Sequence, residues 1–231
     1  IADFLARTRV ESMILAPPLC DSLALHRELA DHDVVTVLIS PSQEAPYAHT
    51  VRMDDYGAAR EITKHLLGLG HKRLGHLTGP AGHVASGHRR RGFVDAISAD
   101  GRAALREDWI LPGLFRFRDA VASAERMLTG ADRPTAIFAA NDETAAAVCF
   151  AAGRLGLRVP DDLSVAGFDD TPIATTVWPP LTTIAQPFDA MAEAMVALIA
   201  ATPSLRGADW RGETRLLPHA LRVRDSTAPP R

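Results

Sequence analysis

Crosslinks are nearly absent from this chain. Its only cysteines, Cys20 and Cys149, stand far apart in apolar surroundings, so they read as reduced core residues of a cytosolic protein and exclude a disulfide framework. Charge of one sign is lacking too. A formal net charge of -3 leaves no electrostatic footprint for nucleic acid on this segment. No run approaches the ~20 uninterrupted apolar residues of a membrane span, and no zinc-ligand spacing occurs. A Walker phosphate loop and a G-x-S-x-G elbow are missing. "GLGHKRLG" has the wrong spacing for a dinucleotide fingerprint and precedes a strand instead of following one. His65, His71, His76, His83 and His88 contain no i, i+4 metal pair; His71 reads as structural. No Ser/His/Asp or Cys/His arrangement stands out, so catalysis has little support and no cofactor is implied. The opening "IADFLARTRVES" brings neither an initiator Met nor a signal pattern and starts inside a helical pattern. The sequence therefore reads as a fragment whose upstream part is missing.

What is present is strand–helix alternation. The chain has 231 residues, 47% of them hydrophobic, enough for one large domain or two small lobes with a sizeable core. "SMILA" (12–16), "VVTVLIS" (34–40), "HTVRMD" (49–54), "RLGHLTG" (73–79), "LFRF" (114–117), "TAIFAA" (135–140), "LSVAGF" (163–168) and "LTTIAQ" (181–186) read as strands. Helical patterns lie between them at 21–32, capped by Asp21 or Ser22, and at 55–71, 84–101, 119–130 and 142–156. A further helix covers 187–202, and "ETRLLPHALRVR" (213–224) is a final extended stretch. Helix-length crossovers and apolar strands without polar alternation predict an α/β fold with parallel, doubly wound sheets covered on both faces.

Ligands of such sheets bind beyond the carboxyl ends of the strands. Here "TAIFAA" ends on Asn141 and Asp142, "LSVAGF" on Asp169 and Asp170, and "LTTIA" on Gln186. "RLGHLTG" leads into Ser86 and Arg89, and "LFRF" brings Phe115 and Phe117. Within "HRRRGF", Arg89, Phe93 and Ile97 share one helix face. Arg89 is thus aimed inward while Arg90 and Arg91 point elsewhere. Carboxylate, amide and guanidinium beside aromatic rings suit a polyhydroxylated ligand. Each acid also has a plain structural reading: Asp142 as a helix cap, Asp170 as a turn residue before Thr171-Pro172.

"VRMDDYGAAREITKHLLGLGHKRLGHLTGP", "HRRRGF", "RPTAIFAANDETA", "RVPDDLSVAGFDD" and "PPLTTIAQP", in this order, resemble the effector-binding core of the lactose-repressor/galactose-repressor (LacI/GalR) transcription factor family. The likeness runs from about Arg7 to "LRVRDSTAPP". It implies a periplasmic-binding-protein-like fold of two α/β lobes joined by three crossovers, with a ligand between them. On this likeness residues 1–71 plus 188–206 form the N-terminal lobe, and 72–187 plus 207–231 the C-terminal lobe. The family's effector-holding positions fall on Arg89, Asn141, Asp169 and Gln186. Its stacking aromatic falls on Phe115 (with Phe117 as the alternative), and a pocket-lining Phe falls on Phe188. A ligand-contacting Asp of the family aligns with Gly57, so the ligand differs there, or Asp54 or Asp55 substitutes.

The resemblance also implies partners. A sugar-like small molecule would be the effector of a cytoplasmic, non-enzymatic, homodimeric regulator without membrane attachment. Operator DNA would be held by a helix-turn-helix domain absent from this sequence. "TTVWPP" (175–180) would contribute Val177 and Trp178 to the dimer. The rival is a periplasmic sugar-binding protein of a transport system; a sugar-modifying enzyme is not expected. The family's first N-lobe strand is missing too. It is expected between "SMILA" and "VVTVLIS", so these strands would leave backbone groups unpaired unless another chain or a rearranged sheet fills the slot.

Overall fold

The computed structural model describes residues 10–43, 45–130, 132–202 and 210–231. Two compact units make up the chain: Ile1–Asp54 with Pro187–Pro218, and Asp55–Gln186 with His219–Arg231.

The smaller unit is a parallel sheet of β1 (Ser12–Leu15), β2 (Val35–Ile39), β3 (His49–Met53) and β9 (Thr214–Leu217), in the order β1-β2-β3-β9. Helices α1 (Leu23–Asp31) and α7 (Phe188–Ala201) belong to it. Alternation along β2 explains the double-sided burial. Leu38 packs with Leu15, Cys20 and Leu29, while Val37 packs with Val51, Met191 and Leu198 of the opposite cluster. Of the two cap candidates for α1, Ser22 is the one used; its hydroxyl accepts from the Leu25 amide at 3.3 Å.

Of the outcomes expected for the missing strand's slot, the rearranged sheet is the one seen. β1 and β2 are direct parallel neighbours, in register from Ser12↔Val35 to Leu15↔Leu38. No slot for another strand lies between them. The α1 crossover sets the two strands side by side, and their facing backbone groups satisfy one another.

The larger unit is a six-stranded sheet in the order β10-β8-β7-β6-β4-β5. Its strands are β4 (Leu74–Thr78), β5 (Ile110–Pro112), β6 (Ala136–Ala139), β7 (Ser164–Asp169), β8 (Thr182–Ala185) and β10 (Ala220–Arg222). All pairs are parallel except β10 with β8. Its helices are α2 (Asp55–Gly68), α3 (Val84–Asp100), α4 (Phe117–Leu128), α5 (Asp142–Arg154) and the one-turn α6 (Ile173–Thr176). On one side, Leu77, Ile137 and Val165 pack with Ala124 and Val148. Elsewhere the rings of Phe93, His76, Phe138 and Phe168 follow one another in that order, neighbouring centroids 4.8–6.4 Å apart. Gly92 lets α3 approach α2: a Cβ there would meet the Tyr56 carbonyl oxygen at 2.5 Å and Ala59 Cβ at 2.9 Å.

Three local expectations change. "LFRF" is not a strand, because Leu114 and Phe115 have φ of 56° and 61° and α4 begins at Phe117. The nearby strand is β5, which starts four residues earlier, in "ILP". "ETRLLPHALRVR" divides around Pro218, with β9 in one unit and β10 in the other. Compactness also places the boundaries after Asp54, Gln186 and Pro218, against the expected 71, 187 and 206; α2 packs on α3 and groups with it. Among the described residues no helix is long and apolar enough to cross a membrane.

Candidate functional site

Side chains of the larger unit converge where β6, β7 and β8 end. Arg89 comes from the inward face of α3, together with Phe93 and Ile97, and is 5% exposed. Its Nε donates to Asp55 Oδ1 at 2.9 Å and its Nη1 to the Ala140 carbonyl at 2.6 Å. The same nitrogen reaches Asp169 Oδ1 at 3.5 Å. The guanidinium carbon lies 3.6 Å from the Phe168 ring centroid and 5.7 Å from that of Phe115. Arg90 and Arg91 are exposed, as their helix positions predict.

Asp169 ends β7. Its Oδ1 also accepts from Gln186 Nε2 at 2.6 Å, and its carbonyl accepts from the Gln186 amide at 3.3 Å. Asp169 keeps 19% side-chain exposure against 6% for Asp55 and Arg89, so it is the acid that opens outward. Burial pushes its carboxyl above the usual range, Arg89 and Gln186 pull it back, and Asp55 pushes it up again. No protein partner among the described residues meets Asp169 Oδ2, Gln186 Oε1 or Arg89 Nη2. Two acceptors and one donor are therefore left over, which suits hydroxyl groups, since each can donate and accept.

Asn141 turns out to be the cap of α5. Its Oδ1 accepts from the Thr144 amide at 2.9 Å, and its Nδ2 points to the Phe115 carbonyl at 3.4 Å. The cap role expected for Asp142 is thereby corrected. Asp142 sits in the first turn, 1% exposed, and ties together the Thr183 hydroxyl (2.6 Å) and the Thr171 amide (2.7 Å) and hydroxyl (3.1 Å). Burial raises its pKa to about 6.

The two candidate aromatics separate cleanly. Phe115 covers Gly79 so closely that a Cβ there would collide with the ring, and His83 meets it edge-on at 5.3 Å. Phe117 packs into the apolar core and against Phe150, and its amide donates to Glu143. Thus Arg89, Asn141, Asp169, Gln186 and Phe115 are brought together within the larger unit. Phe188 belongs to the smaller unit, at the start of α7, 50% exposed. Of the stand-ins considered for Gly57, Asp55 is the one ion-paired with Arg89. The strand-end rule did not reach Phe168, because an apolar residue inside a strand looks like core and nothing else.

A family model described as a periplasmic binding protein-like domain matches residues 63–227. The chain belongs to this family. Its homologues and structural neighbours include regulators of the LacI family, and the chain covers their effector-binding core. It is 34% identical over 227 residues, 97% of this chain and 66% of the relative, to the HTH-type transcriptional regulator DegA of Bacillus subtilis. A LacI transcriptional regulator from a Rhodococcus species superposes with a TM-score of 0.84 at 28% identity, over 99% of this chain and 82% of that one. The transcriptional regulator CelR in complex with cellobiose superposes at 0.81 and 28% identity, over 97% and 68%. This periplasmic-binding-protein-like chain spans about half to two thirds of the length of the curated relatives it matches.

Proposed function

We propose that this chain is the effector-sensing core of a cytoplasmic LacI-type transcriptional regulator. The observation that carries the site is the linked set Gln186–Asp169–Arg89 beside Phe115, with three polar atoms left for a ligand. A sugar or sugar derivative donates hydroxyls to Asp169 and Gln186 and accepts from Arg89, and Phe115 covers its CH face. Asn141 borders the same set. Effector binding shifts the population toward the conformation with the higher effector affinity, and DNA binding outside this segment responds to that shift. The regulator relatives favour this reading over a transport protein and give no support to catalysis.

In a thermal-shift panel of cellobiose, ribose, sugar acids, polyols and nucleosides, at least one neutral sugar should raise the melting temperature, since a ligand of the native state stabilises it. Asp169→Asn should weaken that sugar by about 10–100-fold in calorimetry, the worth of a hydrogen bond to a charged group. A silent panel or an unchanged affinity would sink the assignment.

We further propose a homodimer. Trp178 is 86% exposed, whereas Val177 packs against the larger unit's core. Trp178 is therefore the proposed contact, and Val177, turned into the core, is not. Sedimentation at high concentration should show a dimer that Trp178→Ser dissociates; a wild-type monomer rejects the contact.

A further inference from the structure

The backbone that presents Asp169 is bent in an unusual way. Asp169 has φ 106° and Asp170 has φ 57°, two consecutive non-glycine residues with positive φ. L-residues resist this region, and Asp169 lies beyond the small left-handed well that Asp tolerates. Such a bend persists only where its surroundings over-determine it.

Two side chains do so. Beyond the bend, Asp142 holds the Thr171 amide and hydroxyl. At the bend, Arg224 Nη2 donates to Asp170 Oδ1 at 2.7 Å while Nη1 donates to the Leu181 carbonyl at 2.8 Å. The backbone of Arg224 is itself fixed: its amide donates to Thr182 Oγ1 at 2.9 Å, and its carbonyl accepts from that hydroxyl at 3.1 Å. Two residues on, Ser226 is fully buried. Its hydroxyl donates to the Val165 carbonyl at 2.6 Å and accepts from the Thr182 amide at 2.8 Å. The carboxyl-terminal segment is thus stitched to β7 and β8, and its arginine reaches back over their ends.

We propose that Arg224 is a positioning residue for Asp169: by clamping Asp170 it holds the strained bend that aims Asp169 at Arg89 and Gln186. Its link to effector affinity rests on the sensing role proposed above; the clamp itself can be tested with no effector present. A lysine at 224 keeps the charge on Asp170, whereas methionine keeps only the bulk.

The test is the carbon-13 titration of the Asp169 carboxyl group in the whole chain. In the wild type and in Arg224→Lys the midpoint should lie above the ordinary carboxylate range. In Arg224→Met the carboxylate should swing outward and titrate at the ordinary value. A midpoint in folded Arg224→Met equal to that of the wild type overturns the proposal. Should that variant not fold, hydrogen exchange of the unaltered protein decides. The Thr171 and Arg224 amides should exchange through one common opening, and an Asp170–Thr171 bend that opens independently of the tail refutes the clamp. If Arg224→Met moves the titration but Asp169→Asn still binds sugar normally, the clamp stands and the sensing role of Asp169 falls.

Discussion

Arg89→Met will cost the larger unit about 3–5 kcal/mol, the usual penalty for leaving one partner of a buried ion pair uncompensated. Arg89 and Asp55 both have side chains 6% exposed, and the contact between them is 2.9 Å. Methionine fills the space over Phe168 but leaves the Asp55 carboxylate and the Ala140 carbonyl without their donor. Urea unfolding at neutral pH measures the loss. The double variant Arg89→Met with Asp55→Leu should recover part of it, because the uncompensated charge is then removed as well. A single-variant change below about 1 kcal/mol would show that the pair is solvated instead of buried. Because Arg89 is also a ligand candidate, lost sugar affinity in this variant is informative only under conditions where it remains folded.

That prediction depends on a residue the sequence only half disclosed. The helix face of "HRRRGF" singled out Arg89 from three adjacent arginines, because Phe93 and Ile97 lie one and two turns on and need burial. Strand ends likewise pointed to Asn141, Asp169 and Gln186, since a polar residue closing an apolar run must face the sheet's mouth. Asp55, in contrast, was one of two acids before a helix, and nothing local distinguishes it from Asp54. Only the α2–α3 approach permitted by Gly92 sets Asp55 beside Arg89. Nor did "LFRF" disclose its backbone: alternating Leu and Phe suggest a strand, but positive φ at Leu114 and Phe115 turns the chain and brings Phe115 over Gly79. The sequence left the pairing of β1 and β2 open for a related reason. Strand order is a long-range property, and each strand's apolar pattern is the same whichever neighbour it has. The clamp at Asp170 is long-range too, with Arg224 lying 54 residues away in sequence.

One buried histidine of the larger unit will make its own part of the acid response separable. His76 is fully buried between the Phe93 and Phe138 rings, and its Nδ1 lies 2.8 Å from the Phe138 carbonyl. Nδ1 therefore carries the proton as donor, and the ring is neutral. Burial drives its pKa down to about 4, outweighing that carbonyl, with Arg90 and Arg89 adding to the depression. The unfolded chain protonates this histidine near 6.5, the folded one only near 4. Between those values the unfolded state binds more protons, so the contribution is complete above pH 6.5 and shrinks as pH falls toward 4. The loss between pH 7 and pH 5 is about 2 kcal/mol. Asp142 works in the opposite sense. Its folded pKa of about 6 exceeds the ordinary 3.8, so the folded state binds more protons and stability rises as pH falls through that window. His65 and His71, also lowered by burial, add to the histidine slope, so only comparison with a variant isolates the part due to His76. His76→Phe keeps the stack but loses a hydrogen bond worth about 1 kcal/mol. It should be the less stable protein at pH 7 and the more stable one at pH 5. Urea unfolding of both proteins at the two pH values reads the crossover directly, and parallel profiles would mean that His76 takes up its proton as readily in the folded state as in the unfolded one.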